Sequence, residues 1–379
     1  MSAFRIVILG GYGQFGGRIS TTLATDADLH VIIAGRRLAM AEQLVARLRG
    51  RGAGARLSAA AIDATGAGFA DELAALAPQV VIHTAGPFQG CDYRVAEAAL
   101  AAGAHYVDLA DGRAFVAGID ALEARARAEG RWVIGGASSV PGLSAAVVEA
   151  HLDQFGALHG IEAAISPGNR TERGLATTRA ILGYVGQPYP VLSGGRWRRA
   201  HGWQSLRRLR VEGTSTRWLA RCEVPDLTVL PRRYPQLRSC DFRAGLELRR
   251  MHLGLWLASW AVRARLLPSM APWARHLLAL SERWIDRGSD VGLMQLALHG
   301  VDHDGRPLRL RWRLLAAGGD GPQIPATAAI VLARKLARGQ LPGGGARACL
   351  DLFTLDEFLQ ALHGFAVTST LDRTGGADA

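Results

Sequence analysis

The sequence predicts an α/β fold in which a doubly wound parallel sheet is followed by a second, mixed α/β domain. Three observations carry this. Apolar, β-prone runs alternate with helical stretches over the first 150 residues, the first run opens onto a G-x-G-x-x-G, and 379 residues exceed one typical domain. The expected limits are a nucleotide-binding domain over 1–150, a mixed domain over 151–320, and helices over 321–367 that return to the first domain.

Residues Phe4–Leu9 are almost wholly apolar, as a strand buried on both faces of a parallel sheet must be. They lead into Gly11-Tyr12-Gly13-Gln14-Phe15-Gly16, a helical stretch Gly17–Thr25 and a second apolar strand, Leu29–Ala34. In such a turn Gly11 lets the chain leave the strand sharply. Gly13 admits a pyrophosphate to the backbone, and Gly16 lets helix and sheet pack closely. The helix N-terminus then holds the diphosphate. A chain with 46 glycines produces this spacing by chance, so the flanking strand and helix are what separate a dinucleotide site from a ligand-free tight turn.

The end of the second strand selects the cofactor. NAD sites place Asp or Glu there, whereas this chain has Gly35-Arg36-Arg37, and its nearest acids, Asp26 and Asp28, precede the strand. An arginine fork pairs with a 2′-phosphate, which favours NADP over NAD. The alternative is that Arg36 and Arg37 sit at a solvated helix start.

A helix over Ala39–Arg49 precedes a third strand, Leu57–Ile62, ending at Asp63, which either lies under the adenine or caps the next helix. The fourth strand, from Gln79 to His83, runs into Thr84-Ala85-Gly86-Pro87-Phe88, expected against the nicotinamide half of the cofactor. A helix over Val95–Ala102 leads to a fifth strand ending in Asp108 and Asp111. Asp111 is placed to cap a helix over Arg113–Glu129 and Asp108 to face the crevice. The sixth strand, Arg131–Gly135, ends in a small-residue loop with Ser138 and Ser139, before a helix over Ala145–Leu152.

The succession G-G-Y-G-x-F-G, A-G-R, A-G-P-F, helix and G-A-H-Y-V-D-L resembles the saccharopine dehydrogenase/reductase-like family of NADP-binding oxidoreductases over residues 4–150. The likeness resumes at Asp320-Gly-Pro-Gln-Ile-Pro-Ala-Thr-Ala and over 345–358. It implies a Rossmann domain, a mixed second domain, returning helices, and a cofactor site lined by Gly11, Gly13, Gly16, Arg36, Ala85, Gly86 and Pro87. The middle domain holds no lysine, so the charged pair used by the family's lysine-forming enzymes has no counterpart, which speaks against saccharopine as substrate. The family's trans-acting enoyl reductase-like branch offers lipid or polyketide substrates instead.

The middle domain reads as strands over His159–Ser166, Leu206–Val211, Arg238–Arg249, Leu296–Gly300 and Leu308–Leu315, the last two joined by a turn at Asp304-Gly305. A helix over Glu172–Tyr184 is expected to start at the cap Thr171. Residues 251–285 form an apolar, Trp-rich helical pair flanked by arginines. It is too short to span a bilayer, and it either lies in a membrane interface or is buried on the domain or in a dimer contact. Pro325–Gly339 and Asp356–His363 read as helices, the second opened by a capping box at Thr354, and the tail from Thr368 as frayed.

Residues 170–265 hold 19 arginines against six acids, a local excess of +13 in a chain of net charge +11. No nucleic-acid-binding pattern accompanies it, so the expected partners are an anionic substrate, an acidic carrier protein or an anionic membrane, with a homodimer as a further possibility. Four cysteines without CxxC spacing predict neither zinc nor a disulfide framework, and no metal site is expected. A first strand at residue 4 leaves no room for a signal peptide, and the expected location is the cytoplasm, free or peripheral to a membrane.

These features predict an NADP-dependent oxidoreductase acting on a small or lipid-linked acyl or enoyl substrate. The alternatives are a reductase of an amino-acid-derived imine or carbonyl, and a non-catalytic NADP(H)-binding sensor or scaffold. Hydride addition needs a proton donor. The residues able to serve are His83, Asp108, Ser138, Ser139 and His299, each of which also has a purely structural reading.

Overall fold

The computed structural model describes residues 3–375, and the chain forms two compact units. The first joins Met1–Leu143 to Gln323–Leu362, and the second joins Ser144–Pro322 to the residues from His363 onward.

The first unit is a parallel sheet of β1 (Phe4–Leu9), β2 (Leu29–Gly35), β3 (Arg56–Ala61), β4 (Val80–His83), β5 (His105–Asp108), β6 (Trp132–Gly135) and a returning strand, Gly345–Ala348. Their order across the sheet is returning strand, β6, β5, β4, β1, β2, β3. Every residue of β2 is buried, because helices cover both faces and leave no solvated side to alternate toward. The chain winds outward in opposite directions from β1 and β4, so the topological switch point lies between them. The first helix, Gln14–Leu23, packs its Ile19 and Leu23 inward beside the returning helix Gln323–Ala337. That contact is pinned where Arg334 grips both oxygens of Asp26, at 2.7 and 3.0 Å.

Three details of this unit differ from expectation. The helix over Arg113–Glu129 breaks into Arg113–Ala117, a 3-10 turn Ile119–Leu122 and Glu123–Ala128. The break falls at Gly118, which lowers helix propensity and where a Cβ would lie 3.0 Å from the Tyr93 hydroxyl. Asp111 does not cap: Gly112 holds that position, and the Asp111 carboxylate accepts from Gln89 Nε2. The returning segment contributes the strand Gly345–Ala348 as well as helices, pairing in parallel with β6. The capping box at Thr354 is present, with Glu357 N–H donating to Thr354 Oγ1 at 3.1 Å.

The second unit is a nine-stranded mixed sheet of β7 (Ala157–Ser166), β8 (Pro188–Ser193), β9 (Arg196–His201), β10 (Arg207–Leu209), β11 (Arg217–Arg221), β12 (Ser239–Ala244), β13 (Gly292–Val301), β14 (Pro307–Ala316) and, numbering the returning strand β15, β16 (Val367–Gly375). Strands β10-β11-β12-β7-β13-β14-β16 lie side by side, and the β8–β9 hairpin joins through β12. The β13–β14 hairpin turns at Gly305, φ +77°, with Asp302 Oδ1 accepting from the N–H groups of Asp304 and Arg306. On β14, Leu308, Leu310, Trp312 and Leu314 are buried while Arg309, Arg311 and Arg313 take the opposite face.

Three expectations are corrected in this unit. The helix expected from Glu172 starts at Leu175 with the extended Gly174 at its cap position, and Thr171 closes a turn instead, its N–H donating to the Gly168 carbonyl. The strand expected over Arg238–Arg249 stops at Ala244, where Gly245 passes too close to the Trp218 carbonyl for any side chain, and a helix begins at Arg249. The tail expected to fray from Thr368 is β16, antiparallel to β14 along its whole length. Its β-branched Val367, Thr368 and Thr370 suit a strand, and it closes what would otherwise be an open edge.

Candidate functional site

The glycine loop sits at the carboxyl end of β1, at the switch point. Gly10, not Gly11, supplies the left-handed residue of the turn, with φ +76°. Gly11 is required for space: a Cβ there would lie 2.8 Å from the Ile8 carbonyl and 3.0 Å from Ile33 Cγ2. Gly16 is the most constrained, since its Cβ would fall 2.2 Å from the Gly10 carbonyl and 2.7 Å from Thr84 Oγ1. Gly13 caps the first helix, is exposed, and would meet only the Gly10 carbonyl.

Two features make the helix start receptive to an anion. No side chain caps it and no acid occupies its first turn, so neither a cap nor a carboxylate offsets the positive end of the helix. Thr84 fixes the loop from the far side, donating from Oγ1 and from its backbone N–H to the Leu9 carbonyl at 2.8 and 2.9 Å. Thr84 was legible only as part of a turn; its bond across to β1 needed the structure.

Tyr12 lies over the end of β2. Gly35 leaves room for its ring, its hydroxyl accepts from the Arg37 N–H at 3.0 Å, and the Arg37 guanidinium stands 5.9 Å from the ring centroid. Arg36 and Arg37 are both exposed. Asp63, at the end of β3, accepts from the Thr65 N–H and Oγ1 at 3.0 and 2.8 Å; those bonds, helped by the Arg36 charge, hold its carboxyl below the usual range. It therefore caps its own turn rather than the next helix, which begins at Phe69.

At the ends of β4 and β5 the structure assembles a buried polar chain. His83 is paired in register with Asp108, and Tyr106 lies two residues earlier on the same face of β5. His83 Nδ1 meets the Tyr106 hydroxyl at 3.0 Å, and Phe88 packs edge-on against the imidazole with centroids 4.9 Å apart. Asp108 Oδ1 accepts from the N–H groups of Ala110 and Gly136 at 2.8 and 2.7 Å, tying β5 to β6. Burial drives the His83 pKa down to about 4 and the Asp108 carboxyl up to about 6, the latter opposed by its two backbone bonds. Asp108 thus lies inside the sheet edge. Tyr106, not among the residues singled out from sequence, is the link, and its spacing from Asp108 was the available signal.

Ala85, Gly86 and Pro87 form the turn beside this chain, and Ser138 and Ser139 follow β6. Four of the five candidate proton donors therefore gather at the carboxyl edge of the parallel sheet. His299 does not: it lies on β13 in the second unit, 3.9 Å from Glu162 and partnered in register with Arg309. Its neighbourhood is an arginine basin on the open face of the mixed sheet, where Arg207, Arg243, Arg309, Arg311 and Arg313 surround Glu162 and Gln295. Burial and the adjacent arginines lower the His299 and Arg311 pKa values. Among the described residues no group of three or more His, Cys, Asp or Glu is arranged to hold a metal, and no helix is long and apolar enough to cross a membrane.

Residues 6–134 match the family model described as the saccharopine dehydrogenase NADP binding domain, which supports a nicotinamide cofactor for this unit. No curated protein matches the chain. Among solved structures, the fold is similar to that of apo histidine-tagged saccharopine dehydrogenase (L-Glu forming) from Saccharomyces cerevisiae. The TM-score is 0.69, with 14% identity over 98% of this chain and 100% of that one. UDP-N-acetylglucosamine 3-dehydrogenase GnnA from Acidithiobacillus ferrooxidans aligns over 96% of this chain and 95% of its own at 13% identity, with a TM-score of only 0.41. The yeast likeness shows a common fold, and the domain match shows that residues 6–134 are similar to the saccharopine dehydrogenase NADP binding domain.

Proposed function

We propose that the chain is an NADP-dependent oxidoreductase that moves a hydride to or from an acyl or enoyl group on an anionic, lipid-linked substrate. The observation that carries the choice of cofactor is the exposed pair Arg36–Arg37 at the end of β2, where an NAD-preferring site holds a carboxylate. Gly11 through Gly16 would hold the diphosphate, Arg36 and Arg37 the 2′-phosphate, Asp63 the adenine side, and Ala85, Gly86, Pro87 and Phe88 the nicotinamide side. Bound NADPH supplies a hydride and leaves as NADP⁺.

The chain's own groups position and seal. His83, with its pKa near 4, is neutral at pH 7, so it passes a proton rather than storing one. Asp108 and Tyr106 hold the imidazole and the β6 loop in place, leaving the Ser138 and Ser139 hydroxyls as the groups free to relay a proton toward substrate. The arginine basin supports a substrate bearing carboxylate or phosphate, and the exposed apolar helices of the second unit support a lipid-linked one. A second reading, cofactor binding without turnover, is favoured by the same buried chain, since it commits its acid and base to the fold.

The test is titration with NADPH and NADH of the wild type and Arg36→Ala. The substitution should weaken NADPH by about tenfold and NADH hardly at all, as loss of one charge-assisted phosphate contact requires. Equal loss for both coenzymes defeats the assignment. Consumption of NADPH with enoyl or acyl thioesters, but with no member of a wide imine and carbonyl panel, separates the substrate classes.

A further inference from the structure

We propose that residues 249–287 form a docking surface for anionic phospholipid membranes, a property that does not rest on the redox reading above. The helix Arg249–Arg263 is partly inverted for a helix in water: of its three buried residues, His252, Ser259 and Val262, two are polar. Meanwhile Leu257 is 63% exposed and Trp260 45% exposed. His252 has its Nδ1 turned to the Leu246 N–H at 3.3 Å, and Ser259 donates to the Trp256 carbonyl at 2.6 Å, so the polar side is fixed inward.

The exposed apolar groups are concentrated. Of the ten large hydrophobic residues exposed among the described residues, six lie within 257–284, including Leu266 at 77% and Trp273 at 53%. Isolated exposed apolar residues are ordinary; a cluster on one pair of short helices marks a contact surface. The fold does not need this side, because Leu255, Trp256, Met270 and Leu277 already pack the segment onto the core of Leu182, Val185, Trp203, Ala220 and Ala274.

Charge decides what covers it. The segment carries seven arginines against two acids. Arg249, Arg250 and Arg287 line one shallow pocket walled by Leu248 and Trp284, a site for a phosphate between guanidinium groups. Arg263 lies 5.0 Å from the Trp260 ring, a pairing suited to the level of lipid headgroups. A second copy of the chain would bring the same arginine rim against itself, whereas an anionic lipid surface complements it. With no helix among the described residues long and apolar enough to cross, the segment lies on the membrane with its apolar side among the acyl chains.

The test uses the full chain and vesicles of phosphatidylcholine alone or with about 30% phosphatidylglycerol, read by co-sedimentation and by quenching of tryptophan emission with brominated lipid. The protein should pellet and be quenched with the anionic vesicles only. Leu257→Asp with Leu266→Asp, both exposed and so compatible with folding as checked by circular dichroism, should weaken binding at least about tenfold. Arg250→Glu with Arg287→Glu should do the same, and Arg311→Glu, in the basin, should not. Absence of vesicle binding overturns the proposal, as does equal binding to neutral vesicles. So does vesicle binding lost through Arg311→Glu but kept by the leucine variants. A concentration-dependent dimer dissolved by those leucine variants, without vesicle binding, also overturns it.

Discussion

The two sheets of this protein bury themselves in opposite ways. The parallel sheet is covered on both faces, and its polar groups near the switch point, His83, Tyr106 and Asp108, are locked to one another or to backbone amides. The mixed sheet buries Leu308, Leu310, Trp312 and Leu314 and leaves Arg309, Arg311 and Arg313 at alternate positions on its other face, where like charges repel. Only part of the second unit's arginine serves its fold, chiefly Arg217 in the core and Arg221 and Arg243 against Asp241. Others hold lighter contacts, such as Arg263 on Gln204 and Arg313 on Asp372, while Arg309 and Arg311 stand among like charges, which makes them evidence about what the surface meets.

The comparison can be sharpened by substitution, beginning with the largest effect at a single pH. Arg217 and Glu247 form a buried pair at 3.1 Å, and Glu247 also accepts from the N–H groups of Asn169 and Ser289 at 2.6 and 2.9 Å. Burial alone would raise the Glu247 pKa, yet these bonds hold it below the usual range. Glu247→Gln should lower the unfolding free energy by about 3 kcal/mol, measured as a shift of the urea midpoint. A shift no larger than that of a surface variant would show that this arginine is dispensable.

In the first unit, Gly16→Ala should cost about 2 kcal/mol, because a Cβ has no room beside the Gly10 carbonyl. Gly13→Ala should leave the melting temperature in place while weakening NADPH about tenfold, since only the ligand's approach is obstructed. If both glycines behave alike, packing and ligand access are not separable in this loop.

Asp226 gives the second unit its own pH dependence. Burial, opposed by the Ser144 hydroxyl, raises its carboxyl to about 7 from an ordinary 3.8. A folded pKa above the unfolded one means that the folded state holds the extra proton between those values, so stability falls as pH rises from about 4 to about 7 and levels off beyond. The loss is on the order of 4 kcal/mol, and Asp226→Asn should flatten it in melts recorded across that range. The smallest effect belongs to the basin: Arg311→Ala should leave stability within about 0.5 kcal/mol or raise it slightly, by calorimetry. A clear destabilisation would show that the basin supports the sheet after all.

The first unit was legible because its signals are local. A strand buried on both faces reads as an unbroken apolar run, and Phe4–Leu9 followed by glycines at fixed spacing needs nothing distant to interpret it. The strand Gly345–Ala348 is four residues of small and charged type with no period to detect, and only its place beside β6 makes it a strand. In β16, Ser369, Asp372 and Arg373 hid a strand that the threonines were announcing. At the site, Arg36 and the glycines could be named from sequence. The bond between His83 and Tyr106 joins residues on different strands, and the inward turn of His252 and Ser259 reverses the side that hydropathy would expose.

The returning segment has a consequence for how the protein is made. The glycine loop and its helix are synthesised before the second unit, yet the helix that packs beside them begins only at Gln323, after Ser144–Pro322, the larger part of that unit, has been made. At roughly 5–20 residues per second, the nascent nucleotide half waits on the order of tens of seconds with Ile19 and Leu23 incompletely covered. That interval makes it a natural client for chaperones, and it predicts that joining Leu143 directly to Gln323 would yield a half-protein able to fold as soon as it is translated.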